Sequence, residues 1–191
     1  MAIREVPIIF SAPMVEAILE GRKTQTRRVL HPQPNIILGQ YPDGTIETNL
    51  IFRRGDQRIH PRYQVGDRLW VKETWNDDWC DHVIYKADGG SAKAAGYATE
   101  PKWKSGRFMF KKHARIWLEV TAVRAEQITS ITTADAIAEG VIAPADCPSD
   151  GTWAPTLCFA ELWDSIHGKT HPWSENCWVW AYTFKRIEAR P

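Results

Sequence analysis

The sequence predicts an α+β domain, a small mixed β-barrel or strongly curved sheet with helices at its ends. Three observations predict it: several short strand-like segments, three modest helical ones, and no regular strand–helix–strand alternation of the kind that builds a doubly wound sheet. At 191 residues the chain is long enough for one domain with a real core, and two full cores would be crowded. The expected organisation is therefore a single domain over residues 1–191, with loop insertions at 31–64 and 88–106.

"VPIIF" (6–10) reads as a short buried strand. Ser11 is placed to cap the helix that follows, with Pro13 in its first turn and Met14, Ala17 and Ile18 as its apolar face. Gly21 stands where a helix C-terminus favours a residue able to take positive φ. "TQTRRVL" then alternates as a strand, with Thr24, Thr26 and Arg28 on one face and Gln25, Arg27 and Val29 on the other. Residues 31–64 are rich in Pro, Gly, Asn and Arg and predict a long loop or hairpin insertion. "VGDRLWVKETW" (65–75) is a turn feeding a strand, with Leu69 and Val71 on one face and Trp70 and Lys72 opposite.

"HVIYKAD" (82–88) predicts a second short strand, and the small, polar 88–106 stretch a mobile loop. The longest strand candidate is "ARIWLEVTAVRAEQI" (114–128), lined on one side by Ile116, Leu118, Val120 and Ala122. "TTADAIAEGV" (132–141) is a capped helix: Thr132 or Thr133 as N-cap, Asp135 in the first turn, Gly140 at the end. After the loop "DGTWAP", "TLCFAELWDSIHG" (156–168) is a helix ending at Gly168. "CWVWAYTFKRI" (177–187) is a closing strand with Trp178, Trp180, Tyr182 and Phe184 on one face.

Composition is globular, 43% apolar and 25% charged. No window approaches the unbroken apolar length of a membrane span, and Arg4 and Glu5 interrupt the start before a signal-peptide core forms, so a soluble protein of the bacterial cytoplasm is expected. Four cysteines, at 80, 147, 158 and 177, include no C-x-x-C pair and suggest reduced thiols. The net charge of +1 hides a polarity: residues 1–125 carry +6, residues 126–176 carry −7, and the last fifteen return +2. Such a split suits a basic face for phosphates. Ten tryptophans are unusual for this length and serve either as core or as stacking partners for bases.

Common phosphate-binding and catalytic signatures are absent: no G-x-x-x-x-G-K-[ST], no G-x-G-x-x-G between strand and helix, no G-x-S-x-G, no H-E-x-x-H. The six histidines are scattered. His167 and His171 are four apart, but Gly168 ends the helix between them, so no shared metal is expected, and no cofactor is implied. Basic segments carry more. "KWKSGRFMFKKHAR" (102–115) holds six cations and no acid around Trp103, Phe108 and Phe110, and "FRRGDQRIHPR" (52–62) adds four arginines. Cations neutralise phosphates and interleaved aromatics stack bases, although a charge run is also the ordinary make-up of a solvated face.

Lys23 has two readings. Either it and Thr26 decorate an exposed turn and strand, or desolvation with Arg22, Arg27 and Arg28 nearby makes Lys23 a base and Thr26 a nucleophile or oxyanion donor.

The order "FSAPMVEAILEGRKTQTRR", "VGDRLWVKETW", "LEVTAVRAEQIT", "ADAIAEGV" resembles the ASCH domain family of the PUA-like superfamily. With "ELWDSIHGK" and the closing "WVWAYTFKRI" it is similar to the longer members found in bacteriophages and prophages, over residues 6–187. Gly21, Lys23 and Arg28 fit the family's G-x-K-x-x-E-x-R, with Thr26 at the glutamate position. The stretch is closer to a K-T-x-T branch that includes N4-acetylcytidine amidohydrolases. The resemblance implies a PUA-like barrel acting on or binding a modified nucleoside or RNA/DNA. Lys23 and Thr26 match that branch's catalytic set directly. Its glutamate falls by context on Glu139, with Glu119 as the rival. On that reading Lys23 activates Thr26, Glu139 passes a proton to the departing ring nitrogen, and Trp178, Trp180 and Tyr182 form a stacking wall. Arg22, Arg27, Arg28, Trp70 and Lys72 complete the expected contacts to a base or phosphates, with Arg107, Lys111 and Lys112 from the basic segment. A non-catalytic nucleic-acid or modified-base binding module is the alternative. Ribonuclease action is a third reading, for which no histidine pair is apparent.

Overall fold

A computed structural model describes residues 3–40, 46–55, 57–77, 82–89, 101–142 and 154–188, with backbone only at 36–40 and 46–52. The α+β class is as expected, and the Cα trace groups into two compact units.

The first unit takes residues 1–21, 66–120 and 185–191. Its sheet has the order β1 (Glu5–Ile9), β6 (Arg68–Lys72), β9 (Trp117–Gln127), parallel and then antiparallel. Helix α1 (Ala12–Leu19) has Ser11 at its N-cap, without a side-chain bond, and Pro13 in its first turn. It buries Val15, Ala17 and Ile18 rather than the expected Met14, which stays half-buried. These pack into a core with Ile8, Phe10, Leu69, Val71, Ile116, Leu118 and Val120. Leu69 and Val71 point inward as predicted, and Lys72 Nζ lies 5.4 Å from the Trp70 ring on the opposite face. The 82–88 strand is reduced to β8 (Ile84–Tyr85), paired with β7 (Trp75–Asn76), because the chain turns into a 3-10 helix at Lys86–Asp88. Of the 88–106 insertion, residues 90–100 lie outside the described residues. Lys104 bridges back to Trp75, so the end of that insertion is ordered backbone.

Glu73 is the more deeply buried of two buried acids described in the unit, 1% exposed against 5% for Asp67. Arg115 grips it through two parallel bonds of 3.0 Å, Nε to Oε1 and Nη2 to Oε2. Arg115 also reaches Asp88 at 2.5 Å, and its guanidinium carbon lies 4.0 Å from the Tyr85 ring centroid.

The second unit takes residues 22–65 and 121–184. Its sheet order is β9, β10 (Trp178–Ile187), β2 (Gln25–Val29). The β10–β2 pairing is antiparallel, from Val179 opposite Val29 to Thr183 opposite Gln25. The 31–64 insertion is a meander of β3 (Ile36–Gln40), β4 (Ile46–Arg54) and β5 (Gln57–Ile59), the hairpin alternative rather than a loop. Alternation along β9 changes phase after Val120: Ala122, expected inside, is exposed, and the next buried position is Ala125. Burial with period 2 requires an unbroken pleat, and β9 does not keep one.

Helices α2 (Thr133–Ala138) and α3 (Pro155–His167) cover the unit's main core. The Thr132 hydroxyl accepts from the Asp135 amide at 3.1 Å, a working N-cap. Phe159 and Trp163, one turn apart on α3, pack with Ile128, Ile131, Ala136, Cys177 and Val179. A second cluster holds Leu30, Ile59 and Ala125, with Trp178 and Trp180 partly buried against it. No helix among the described residues is long and apolar enough to cross a membrane.

Candidate functional site

Lys23 and Glu139, both in the second unit, each lie next to a glycine turn in sequence. Gly21, at φ +77°, turns the chain after α1, two residues before Lys23; Gly140, at φ +90°, turns it directly after Glu139 at the end of α2. The Thr24 amide bonds to the Ala138 carbonyl (2.8 Å), and the Phe184 amide to the Thr24 carbonyl (2.9 Å). Backbone bonds on both sides thus fix the segment that carries Lys23. Gly140→Ala is expected to cost about 1–2 kcal/mol, because an L side chain at that φ is strained; urea unfolding of the variant checks it.

Lys23 is 2% exposed, and its amine donates to Glu139 Oε2 (2.6 Å) and to the Glu139 carbonyl (2.8 Å). Arg27 holds the other carboxylate oxygen, Nη1 to Oε1 at 3.0 Å. Arg27 also donates through Nε to Glu126 (2.7 Å) and approaches Asp135 at 3.4 Å. Arg124 pairs with Glu126 and Asp135 in turn. The result is a network of three cations and three carboxylates, balanced in charge, as burial demands. Arg27, expected as a ligand contact, is bonded to both Glu139 and Glu126. Arg22, exposed, donates to the Gly140 carbonyl at 3.1 Å and closes the turn after Glu139.

Burial pushes the Lys23 ammonium below its usual range, Arg28 and Arg27 push it further, and Glu139 opposes them. Lys23 precedes β2, so its amine feels Arg27 on one face of the strand and Arg28 on the other. Thr26 and Arg28 share that second face, opposite Tyr182 and Trp180 in the register. Thr26 is buried. The Tyr182 ring meets Tyr63 edge-on at 5.0 Å, and burial raises its phenol to about 12, which keeps it a neutral donor at physiological pH. Arg28, partly buried, has its pKa lowered by burial, with Tyr63, Glu139 and Tyr182 opposing and Arg62 adding to it.

Lys23 and Glu139 are therefore brought together directly, with Thr26 on the adjoining strand. Glu119, the rival carboxylate, pairs instead with Lys185 at 3.0 Å in the first unit. Trp178 and Trp180 lie on β10, with the backbone at Trp178 tied to Gln33 in both directions. Trp70, Lys72, Arg107, Lys111 and Lys112 belong to the first unit. There Lys111 pairs with Glu5 and sits over Trp117, while Arg107 and Lys112 are exposed beside the exposed Phe108 and Phe110.

Sequence reasoning missed a gathering of histidines. Gly168 does end α3, but the Thr170 and His171 amides both return to the His167 carbonyl at 2.9 Å, so the two histidines stay together. His31, just past β2, meets the His171 ring edge-on at 5.3 Å. The i, i+4 spacing was the available signal; the turn geometry was not legible. Among the described residues no group of three His, Cys, Asp or Glu is placed to share a metal ion.

No protein-family model matches the sequence, and no curated protein matches it. Two solved structures are similar to the chain. One is protein EF3133 from Enterococcus faecalis V583, assigned to DUF984, with a TM-score of 0.43 and 10% identity over 98% of this chain and 82% of the other. The other is an ASCH domain from Lactobacillus crispatus JV V101, with a TM-score of 0.41 and 15% identity over 97% of this chain and 81% of that one.

Proposed function

We propose that this protein acts on a nucleoside or nucleic acid and hydrolyses an N-acyl group from a modified base, with Lys23, Thr26 and Glu139 as the machinery. The observation that carries the reading is the buried Lys23–Glu139 pair at 2.6 Å, whose lysine is pushed down in pKa beside a strand bearing Thr26. A proton crossing that pair leaves a neutral amine next to a carboxylic acid, the base and the acid the reaction needs. Thr26 Oγ then adds to the acyl carbon as Lys23 takes the hydroxyl proton, and the resulting ammonium faces the oxyanion. The C–N bond breaks as Glu139 protonates the departing nitrogen, leaving an ester on Thr26. Water cleaves the ester, releasing the carboxylic acid and restoring the hydroxyl.

Incubation with N4-acetylcytidine and a panel of other N-acylated nucleosides, followed by chromatography, tests this. Wild type is expected to release the free nucleoside, with Thr26→Ala and Lys23→Ala slower by about 10²–10⁴-fold. Full activity in both folded variants would end the mechanism. A second reading, strand binding without catalysis, is favoured by the exposed Phe108 and Phe110 between Arg107 and Lys112. Salt separates the two, because a strand binder loses affinity steeply as salt rises and a nucleoside enzyme barely responds.

A further inference from the structure

We propose that Lys102, Arg107, Phe108, Phe110 and Lys112 form a docking surface for single-stranded nucleic acid, with successive bases stacked on the two phenylalanine rings and phosphates held by the three cations. The inference deepens the strand-binding reading and rests on it, and it needs no catalysis at Lys23. All five residues belong to the first unit.

A fixed support displays the rings. Gly106 lies against the Glu73 backbone, where a Cβ would come within 2.9 Å of the Glu73 carbonyl oxygen. Met109 is 2% exposed, and its sulfur accepts from the Glu73 amide at 3.3 Å. The backbone is extended at Met109, with φ −68° and ψ 132°, so its two neighbours point away from the face that Met109 buries. Phe108 and Phe110 are accordingly 72% and 63% exposed. The flanks are tied as well. Lys72 Nζ donates to the Arg107 carbonyl, Asn76 to the Lys102 carbonyl (2.9 Å) and the Tyr85 hydroxyl to the His113 carbonyl (2.7 Å). An anchored backbone loses little freedom when a ligand settles on it.

Charge selects the occupant. Lys111 is paired with Glu5 and Lys104 with Asp77, but among the described residues no ion pair engages Lys102, Arg107 or Lys112. Three unneutralised cations around two exposed rings match a ligand that alternates anions with flat apolar groups, as nucleic acid does. A lipid surface matches less well: the side chain between the rings is buried and cations bracket both rings, which leaves little apolar area to enter a membrane. Spacing selects the single strand. Extended chain sets Phe108 and Phe110 roughly 7 Å apart, about twice the step between stacked bases in one strand of a duplex. Bases that have come off one another reach both rings, and paired bases do not.

Fluorescence anisotropy of the full chain with labelled oligouridylate and oligothymidylate of about twelve nucleotides tests the surface. Wild type is expected to bind the single strands, and duplex of the same length to compete at least about tenfold less well. Phe108→Ala and Phe110→Ala should each weaken binding by about 5–100-fold without changing its salt dependence. Phe108→Leu should be as weak as Phe108→Ala, and Phe108→Trp should restore binding, because stacking needs a ring. Lys112→Gln should weaken binding and flatten the slope of log Kd against log salt by about 0.7, the share of one phosphate. Exposed positions leave the fold intact, which an unchanged Tm checks. Salt-sensitive binding that the phenylalanine and Lys112 variants leave untouched overturns this surface while the strand-binding reading stands. No salt-sensitive binding by wild type, to single strand or duplex, ends that reading and the surface with it. Capture by phosphatidylcholine–phosphatidylserine vesicles that survives in Phe108→Leu, without strand binding, assigns the rings to a membrane, and a wild-type dimer dissolved by Phe108→Ala assigns them to a second copy; either overturns the proposal.

Discussion

Glu139→Gln lowers the stability of the fold by on the order of 3–5 kcal/mol, the largest loss expected from a single polar change in this chain. Each carboxylate oxygen has its own buried cation, Oε2 with Lys23 and Oε1 with Arg27. An amide of the same shape keeps the packing and removes the charge, leaving the buried Lys23 without its carboxylate while Arg27 keeps Glu126 and Asp135. In a chain of this size that is a drop in Tm of roughly 10 °C. Lys23→Met should cost clearly less, because Glu139 then keeps Arg27 and no buried charge is stranded. The order of the two variants, read as urea midpoints at pH 7, is the discriminating result. Equal stability of wild type and Glu139→Gln, or a greater loss in Lys23→Met, would show that the network is not balanced as described.

Arg115→Met is expected to have a comparable effect in the first unit, again on the order of 3–5 kcal/mol, and to carry a pH signature. Burial raises the pKa of Glu73 while Arg115 holds it down, with Asp88 pushing it up again. A folded pKa above the unfolded one means that the folded chain binds the extra proton. The stability this lends is complete below the unfolded value of about 4.5 and is lost as pH rises through the folded value. Methionine removes the one downward influence, so the folded pKa climbs and the window widens. The variant's deficit should therefore be smaller at pH 5 than at pH 8, since protonation relieves the stranded carboxylate. Urea unfolding at the two pH values reads it directly, and a deficit independent of pH would place the cost in lost packing over Tyr85 instead of in the stranded carboxylate.

What the sequence made legible followed from local rules. Pro13, Gly21, Thr132 and Gly140 mark helix ends whatever lies around them, and the strands from 68 and 178 alternate plainly. Lys23 stood out among its cationic neighbours, but Glu139 was reached only through a resemblance in motif order, since nothing in either's neighbours reveals a partner 116 positions away. Three readings needed the third dimension. The carboxylates around Arg27 come from β9 and the end of α2, which its neighbours in sequence do not show. The phase change in β9 is a property of the pleat, invisible in a run of small and branched residues. His31 joins His167 and His171 only because the end of β2 and the turn after α3 arrive at one place.

The pairing of β2 with β10 sets a timetable for the ribosome. β2 sits at the edge of its sheet, and its hydrogen-bonded partner does not begin until Trp178 of a 191-residue chain. Until Trp178 has been made, the K-T-x-T segment is therefore a strand without its sheet partner, and Glu139 emerges well before β10 can clamp the fold. Contacts so distant in sequence form slowly. Chains that stall or are cut before Trp178 will hold a helix or two and an open strand edge, prone to capture by chaperones and without a Lys23–Glu139 centre. The second unit thus completes its site only once β10 has been made.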